Sequence, residues 1–110
     1  MRPTLGVVAI AHNEAVDLPG FLKNTKHFAD EIVIVDDGSD DDTVAMARAA
    51  GAVVVVSPRG PGEYFAHQRN KGIGAAKSDW LLHMDIDERV PPALAHEIFA
   101  AIKTTDKDAY

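Results

Sequence analysis

The chain has 110 residues, 46% hydrophobic and 25% charged, the composition of an ordinary globular domain with apolar side chains for one core and not for two. Lysine and arginine number 11 against 17 aspartates and glutamates, and the formal charge of -6 excludes a strongly basic nucleic-acid footprint. With no cysteine, disulfides and thiolate metal sites are excluded as well.

No apolar run approaches the roughly 20 residues that span a bilayer, and Met1 to Thr4 lacks the basic-then-apolar start of a signal peptide. The expectation is a single domain over 1–110, cytoplasmic or peripheral at the inner face of a membrane. Leu5 to Ala11 is an almost unbroken apolar run, as in a strand covered on both faces, and so in a parallel sheet. It stops at His12-Asn13-Glu14. Asn13 is a good N-cap, and Val16, Leu18, Phe21, Leu22 and Thr25 then recur near the helical period.

The unit repeats at Glu31 to Asp36, a β-branched run followed by Asp37-Gly38-Ser39-Asp40-Asp41-Asp42. Gly38 permits a turn, Ser39 or Asp40 can cap, and the acids suit the start of a helix from Thr43 to Ala50, with Gly51 as its C-terminal cap. Ala52 to Val56 is the third strand, and Ser57 to Gly62 is too rich in proline and glycine to be anything but a loop. From Glu63 to Ala76, Phe65, Arg69, Gly72 and Ala76 share one helical face. The fourth strand opens at Trp80, and a last helix starts near Pro91-Pro92 with Leu94, Ile98, Ala101 and Ile102 on one face. Thr104 to Tyr110 reads as frayed or truncated.

Four strands alternating with four helical patterns predict an α/β fold, Rossmann-like, with three α/β/α layers around a mostly parallel sheet and right-handed crossovers. Ligands of such sheets bind beyond the carboxyl ends of the strands. Three polar clusters fall there: His12-Asn13-Glu14, Asp36-Asp37-Gly38-Ser39, and Asp85-Ile86-Asp87-Glu88. If the extended conformation persists to Asp87, Asp85 and Asp87 point to one side and Ile86 to the other. Two adjacent carboxylates repel unless they share a cation, and hard oxygen ligands suit Mg²⁺ or Mn²⁺, which also bind phosphate oxygens. The alternative is a solvated acidic loop that favours the next helix through its dipole.

Asp36 and Asp37 can accept hydrogen bonds from a base N–H or from ribose hydroxyls, or one of them can cap the following helix. Arg69 can pair a diphosphate bidentately or form a surface salt bridge. Lys71 reads as a solvated charge, and Asp40, Asp41 and Asp42 as solvated acids at a helix start. His12 begins a turn where a sugar, a phosphate, a metal or a local hydrogen bond would suit it. His67, His83 and His96 lack metal-ligand spacing. Glu88 and Arg89 either pair with each other or orient the metal ligands. Gly72-Ile73-Gly74 follows no strand and is not a dinucleotide fingerprint, and no phosphate-loop signature occurs.

In this order, Ala11-His12-Asn13-Glu14, Asp30 to Thr43, Gln68-Arg69-Asn70-Lys71-Gly72 and Asp79 to Glu88 together resemble the nucleotide-binding half of family-2 glycosyltransferases with the A-type fold. Within that family the chain looks most like bacterial members that build lipopolysaccharide core and other cell-surface glycans. The resemblance implies that Ala11, His12, Asn13 and Glu14 touch the nucleotide and that Asp37, with Asp36 beside it, holds uracil or ribose. It places Arg69 near base and diphosphate. Asp85-Ile86-Asp87 would be the D-x-D motif, with Asp85 toward ribose or metal and Asp87 ligating Mn²⁺ or Mg²⁺. It further implies a nucleoside-diphosphate sugar as donor, UDP-sugar favoured, a glycan or lipid-linked glycan as acceptor, and a metal-dependent, inverting transfer. The family's general base lies well downstream of the D-x-D, so it is expected beyond Tyr110, together with the acceptor half and further strands. An edge left unpaired would be a template for homo-oligomers. The rival readings are a non-catalytic nucleotide-binding module or remnant, a nucleotidyltransferase, whose basic glycine-rich first loop His12-Asn13-Glu14 does not supply, and a receiver-type domain, whose matching downstream lysine on a fifth strand the chain does not show.

Overall fold

The elements run β1 (Leu5–Ala11), α1 (Leu18–Lys26), β2 (Glu31–Asp36), α2 (Thr43–Ala49), β3 (Val53–Val56), α3 (Phe65–Ala75), β4 (Trp80–His83) and α4 (Pro92–Thr104). They come from a computed structural model that describes residues 3–62 and 65–104. The strands form one sheet in the order β3-β2-β1-β4, every pair parallel, with Val8 opposite Val33 on one side and His83 on the other. The chain lays β2 and β3 on one side of β1 and then returns to lay β4 on the other. The strand order therefore reverses between β1 and β4, and loops leaving there diverge to open a crevice.

Alternation along the strands sorts the core into two layers. Leu5, Val7, Ala9 and Ala11 of β1, with Ile32 and Ile34 of β2 and Trp80 of β4, pack with Leu18 and Phe21 of α1, Ala47 of α2 and Ile102 of α4. Val8, Val33 and Val35 turn to the opposite face, where α3 lies with Gly72 against Val8 and Val35. Burying side chains such as Phe21, Leu18 and Ile34 completely is worth about 1.5–3 kcal/mol each. The two outer strands are exposed differently: Val53 and Val56 of β3 face solvent, and Leu81 and Leu82 of β4 line an apolar groove with Leu94 and Ile98 of α4.

The amino ends of the strands are fastened by local bonds. The Asp79 carboxylate accepts from the Thr4 N–H at 2.9 Å, Asp30 accepts from the Leu5 N–H at 2.8 Å, and Glu31 accepts from the Lys77 and Ser78 N–H groups at 2.9 and 3.1 Å.

Several local expectations are corrected. Asn13 is not a cap: it has φ 53, in the left-handed region that asparagine tolerates, and α1 begins only at Leu18. Val16 consequently lies before the helix and is 93% exposed. Neither Ser39 nor Asp40 caps α2: Asp42 holds the N-cap position without a side-chain cap bond, and Asp41, one residue earlier, accepts from the Thr43 N–H at 3.0 Å and from the Thr43 hydroxyl. Gly51, with φ 87, ends that helix as expected. The buried face of α3 carries Gln68 and Gly72, whereas Arg69 is exposed, and the expected start at Glu63 and the side chain of Phe65 lie outside the described residues. Thr105 to Tyr110 lie outside them too.

Candidate functional site

Over the reversal point lies a cleft of about 820 Å³, reached by the carboxyl ends of β1, β2 and β4 and by the first turns of α3. Ala11, His12, Glu14, Asp37, Arg69, Asp85 and Asp87 all line it, so the three polar clusters and the arginine become one site. Asp17 and Arg59, which belong to none of the three clusters, line it as well. Arg59 had an available signal, since its loop leaves β3 on the same rim.

The first two loops are stitched together. The Asn13 N–H donates to Ser39 Oγ at 2.8 Å, Asn13 Oδ1 accepts from the Asp40 N–H at 2.7 Å, and the Glu14 N–H donates to Thr43 Oγ1 at 2.9 Å. His12 Nδ1 donates to the Asp37 carbonyl at 2.8 Å, so this histidine makes the local bond and still borders the cleft. Asp36 sits apart from its neighbour. It is 1% exposed, and it accepts from Ser39 Oγ at 2.6 Å and from the Ser39 N–H at 2.8 Å, so Asp36 serves as the internal anchor of the turn and is not in the cleft lining. The same holds for the Asn13 side chain, spent on the loop.

Asp37 faces the cleft and is gripped by the third loop. The Arg59 N–H donates to Oδ1 at 2.6 Å and Arg59 Nε to Oδ2 at 2.9 Å. These bonds, the backbone one first, hold the Asp37 carboxyl below the usual carboxylate range. Lys71 is not a free surface charge: its ammonium donates to Ser57 Oγ at 2.7 Å.

The extended conformation expected through Asp87 ends at His83, and Asp85 to Glu88 form a turn closed by the Glu88 N–H on the Asp85 carbonyl at 3.0 Å. Ile86 is buried while Asp85 and Asp87 are exposed, and all three border the cleft. The turn thus brings both carboxylates to the cleft without sending Ile86 to the opposite side, as alternation along a strand would have done. Glu88 and Arg89 do not pair with each other; each braces this turn. Glu88 Oε1 accepts from the Asp85 N–H at 2.7 Å, and Arg89 donates to the carbonyls of Ile86 and Glu88 at 2.7 Å and of Asp17 at 3.1 Å.

The cleft is electrostatically divided. Around Glu14, burial and then the nearby Asp17, Asp87, Asp41 and Asp85 charges push its carboxyl above the usual range. Arg59 and Arg69 supply positive charge elsewhere in the lining. Burial and then Arg69 lower the pKa of His83, at the end of β4. Among the described residues no three histidines, aspartates or glutamates converge tightly enough to hold a metal alone. Two exposed carboxylates beside an acid already strained by negative charge suit a hard divalent cation that takes its remaining ligands from phosphate and water.

A parallel sheet with this reversal point, and a cleft of paired acids and arginines above it, defines a Rossmann-like nucleotide-binding class of α/β domain. Comparison narrows the class: the model of glycosyl transferase family 2 matches residues 6–110, and the chain belongs to that family. An uncharacterized glycosyltransferase of Rickettsia bellii is 34% identical over 101 residues, 92% of this chain and 33% of that protein. The glycosyltransferase SunS of Bacillus subtilis is 31% identical over 85 residues, 77% of this chain and 20% of that protein. Among solved structures, Mycobacterium tuberculosis glucosyl-3-phosphoglycerate synthase in complex with Mn²⁺, UDP and glucosyl-3-phosphoglycerate is similar, with TM-score 0.63 and 28% identity over 76% of this chain and 33% of that one. The chain spans about a third of the length of its first relatives. No described helix is long and apolar enough to cross a membrane.

Proposed function

We propose that this chain forms the donor-binding part of a metal-dependent, inverting glycosyltransferase that uses a UDP-sugar. The observation carrying the reading is the convergence of Asp37, Arg69, Asp85 and Asp87 on one cleft from two different loops and a helix. Asp37 accepts a hydrogen bond from a base N–H or a ribose hydroxyl, its two oxygens oriented by Arg59. Arg69 pairs with the diphosphate, offsetting charge where the lining is otherwise acidic. Asp85 and Asp87 hold Mn²⁺ or Mg²⁺, and the braces from Glu88 and Arg89 keep their turn in place. The bound ion would supply Lewis-acid stabilisation of the leaving nucleoside diphosphate. The Mn²⁺ and UDP complex of the mycobacterial synthase, and its Mg²⁺ and UDP complex, support this choice of ligands.

The acceptor is a cell-surface or lipid-linked glycan, as the family resemblance implies. Its hydroxyl requires a general base, which we assign together with the acceptor pocket to polypeptide beyond the third that aligns with the relatives. Binding is therefore within reach of this chain, and transfer needs more.

Calorimetric titration with UDP, in the presence and absence of Mn²⁺, tests the reading. Binding is expected to require the metal and to be lost in Asp87→Ala. Metal-independent binding that survives Asp87→Ala, or none by the folded chain, would overturn it.

A further inference from the structure

Gln68 is 0% exposed, one position before Arg69 on α3, and the motif it opens assigns it no role. Its Nε2 donates to the Ser57 carbonyl at 2.6 Å and makes a longer contact of 3.4 Å with Asp37 Oδ1. Its Oε1 is buried and finds no partner among the described residues. Turning the amide over would not help, because Oε1 would then face the Ser57 carbonyl and the Asp37 carboxylate, acceptor against acceptor. A buried acceptor without a donor is unfavourable, so the amide is a poor filler for this site and acts through its N–H groups.

Those groups start a short mechanical path. One turn further along α3, Lys71 Nζ donates to Ser57 Oγ at 2.7 Å, so the helix grips Ser57 at both carbonyl and hydroxyl. Two residues beyond Ser57, Arg59 grips the Asp37 carboxylate through its N–H and Nε. The Gln68 contact to Asp37 closes the ring.

We infer that Gln68 is the positioning residue for the nucleoside end of the cleft: from inside α3 it fixes the Ser57–Arg59 segment and, through it, the orientation of Asp37. This rests on the donor-site reading for Asp37. It also ties the two ends of the site together, since Gln68 faces the loop that orients Asp37 while Arg69, its neighbour on the same helix, faces the diphosphate end. The ligand class concerned is a nucleoside diphosphate, recognised at its base or ribose and not only at its phosphates.

Gln68→Met keeps the volume and removes both the donor and the unpartnered acceptor, so the urea midpoint is expected to stay near that of the parent chain. Two readouts separate positioning from packing. Amide hydrogen exchange of the Arg59 N–H, measured without ligand, is expected to quicken in Gln68→Met while that of the β1 amides does not. With Mn²⁺ present, UDP is expected to bind about five- to tenfold more weakly, whereas inorganic pyrophosphate binds as before. Unchanged Arg59 exchange, or equal weakening of UDP and pyrophosphate, would overturn the inference. Should Gln68→Met fail to fold, Lys71→Met, which removes the other grip on Ser57 from a half-buried position, is expected to quicken Arg59 exchange in the same way, and no change there would overturn it. If the parent chain binds neither UDP nor pyrophosphate, the donor-site reading falls and the nucleoside role of Gln68 with it. The exchange of Arg59 still decides whether Gln68 fixes the loop.

Discussion

Arg59 holds Asp37 by two different atoms, its backbone N–H on Oδ1 at 2.6 Å and its side-chain Nε on Oδ2 at 2.9 Å. A carboxylate held at both oxygens presents a fixed set of lone pairs to the cleft, which is what recognition of a planar base or a ribose diol requires. The backbone half of the grip depends on the path of the loop, and only the side-chain half depends on arginine.

Arg59→Ala should therefore weaken UDP binding by only a few fold, while Asp37→Ala abolishes most of it. Because the Arg59 side chain is 36% exposed, its loss should cost at most about 1 kcal/mol of stability. Calorimetry and urea unfolding of both variants check the pair of expectations.

The pH dependence of stability has opposite signs at Asp37 and Glu14. The Asp37 carboxyl lies below its unfolded value, so its contribution is complete above the ordinary carboxylate pKa and is lost as pH falls through the lower folded value. Asp37→Asn should flatten the acid limb of a urea-midpoint profile.

Glu14 is raised, by burial first and then by Asp17 and its other acidic neighbours, so the folded chain binds more protons there than the unfolded one. Stability is then lost as pH rises from the ordinary carboxylate pKa through the raised one. Glu14→Gln should raise the urea midpoint at neutral pH, and the gain should shrink when Mn²⁺ neutralises the same acids.

Gly72→Ala should destabilise the fold by about 1–3 kcal/mol even though alanine favours helices. A Cβ at this position would stand 2.4 Å from Val8 Cγ1 and 3.1 Å from Val35 Cγ2, side chains fixed in the sheet, so α3 must lift. Lifting α3 moves Gln68 and Arg69, and UDP binding should fall with stability.

Arg89→Ala should leave most of the core intact and loosen the turn that carries Asp85 and Asp87, because the carbonyls of Ile86 and Glu88 lose the donor that braces them and that of Asp17 keeps only the Phe21 N–H. The expected result is weaker Mn²⁺-dependent UDP binding with pyrophosphate affected equally, since the defect lies at the metal end.

Regular patterning made the fold legible. The run Leu5 to Ala11 became β1 with the bounds expected, and Glu31 to Asp36 became β2, because strands buried on both faces need unbroken apolar sequence. The cleft residues at strand ends could be placed for the same reason: a parallel sheet puts its carboxyl ends on one rim. Local polar geometry could not be read this way. Asn13, Asp36 and Asp41 are all plausible caps or ligands by type, and only the folded loops decide that Asn13 bonds Asp40, that Asp36 bonds Ser39 and that Asp41 bonds Thr43. Gln68 carries no role of its own in the Gln68 to Gly72 motif because a polar residue on a helix is ordinarily solvated, and its burial follows from Gly72 letting α3 approach the sheet closely.

One cleft is proposed to hold the nucleoside at Asp37 and a metal-bound diphosphate at Asp85 and Asp87. Backbone amide NMR of this chain with UDP tests it most directly, first with Mg²⁺ and then with a trace of Mn²⁺. Shift changes are expected at Ala11 to Asn13, Asp37 and Arg59 with Mg²⁺ and UDP, and paramagnetic broadening centred on Asp85 to Glu88 with Mn²⁺. Broadening centred elsewhere, or UDP-induced shifts that spare Asp37 and Arg59, would contradict it.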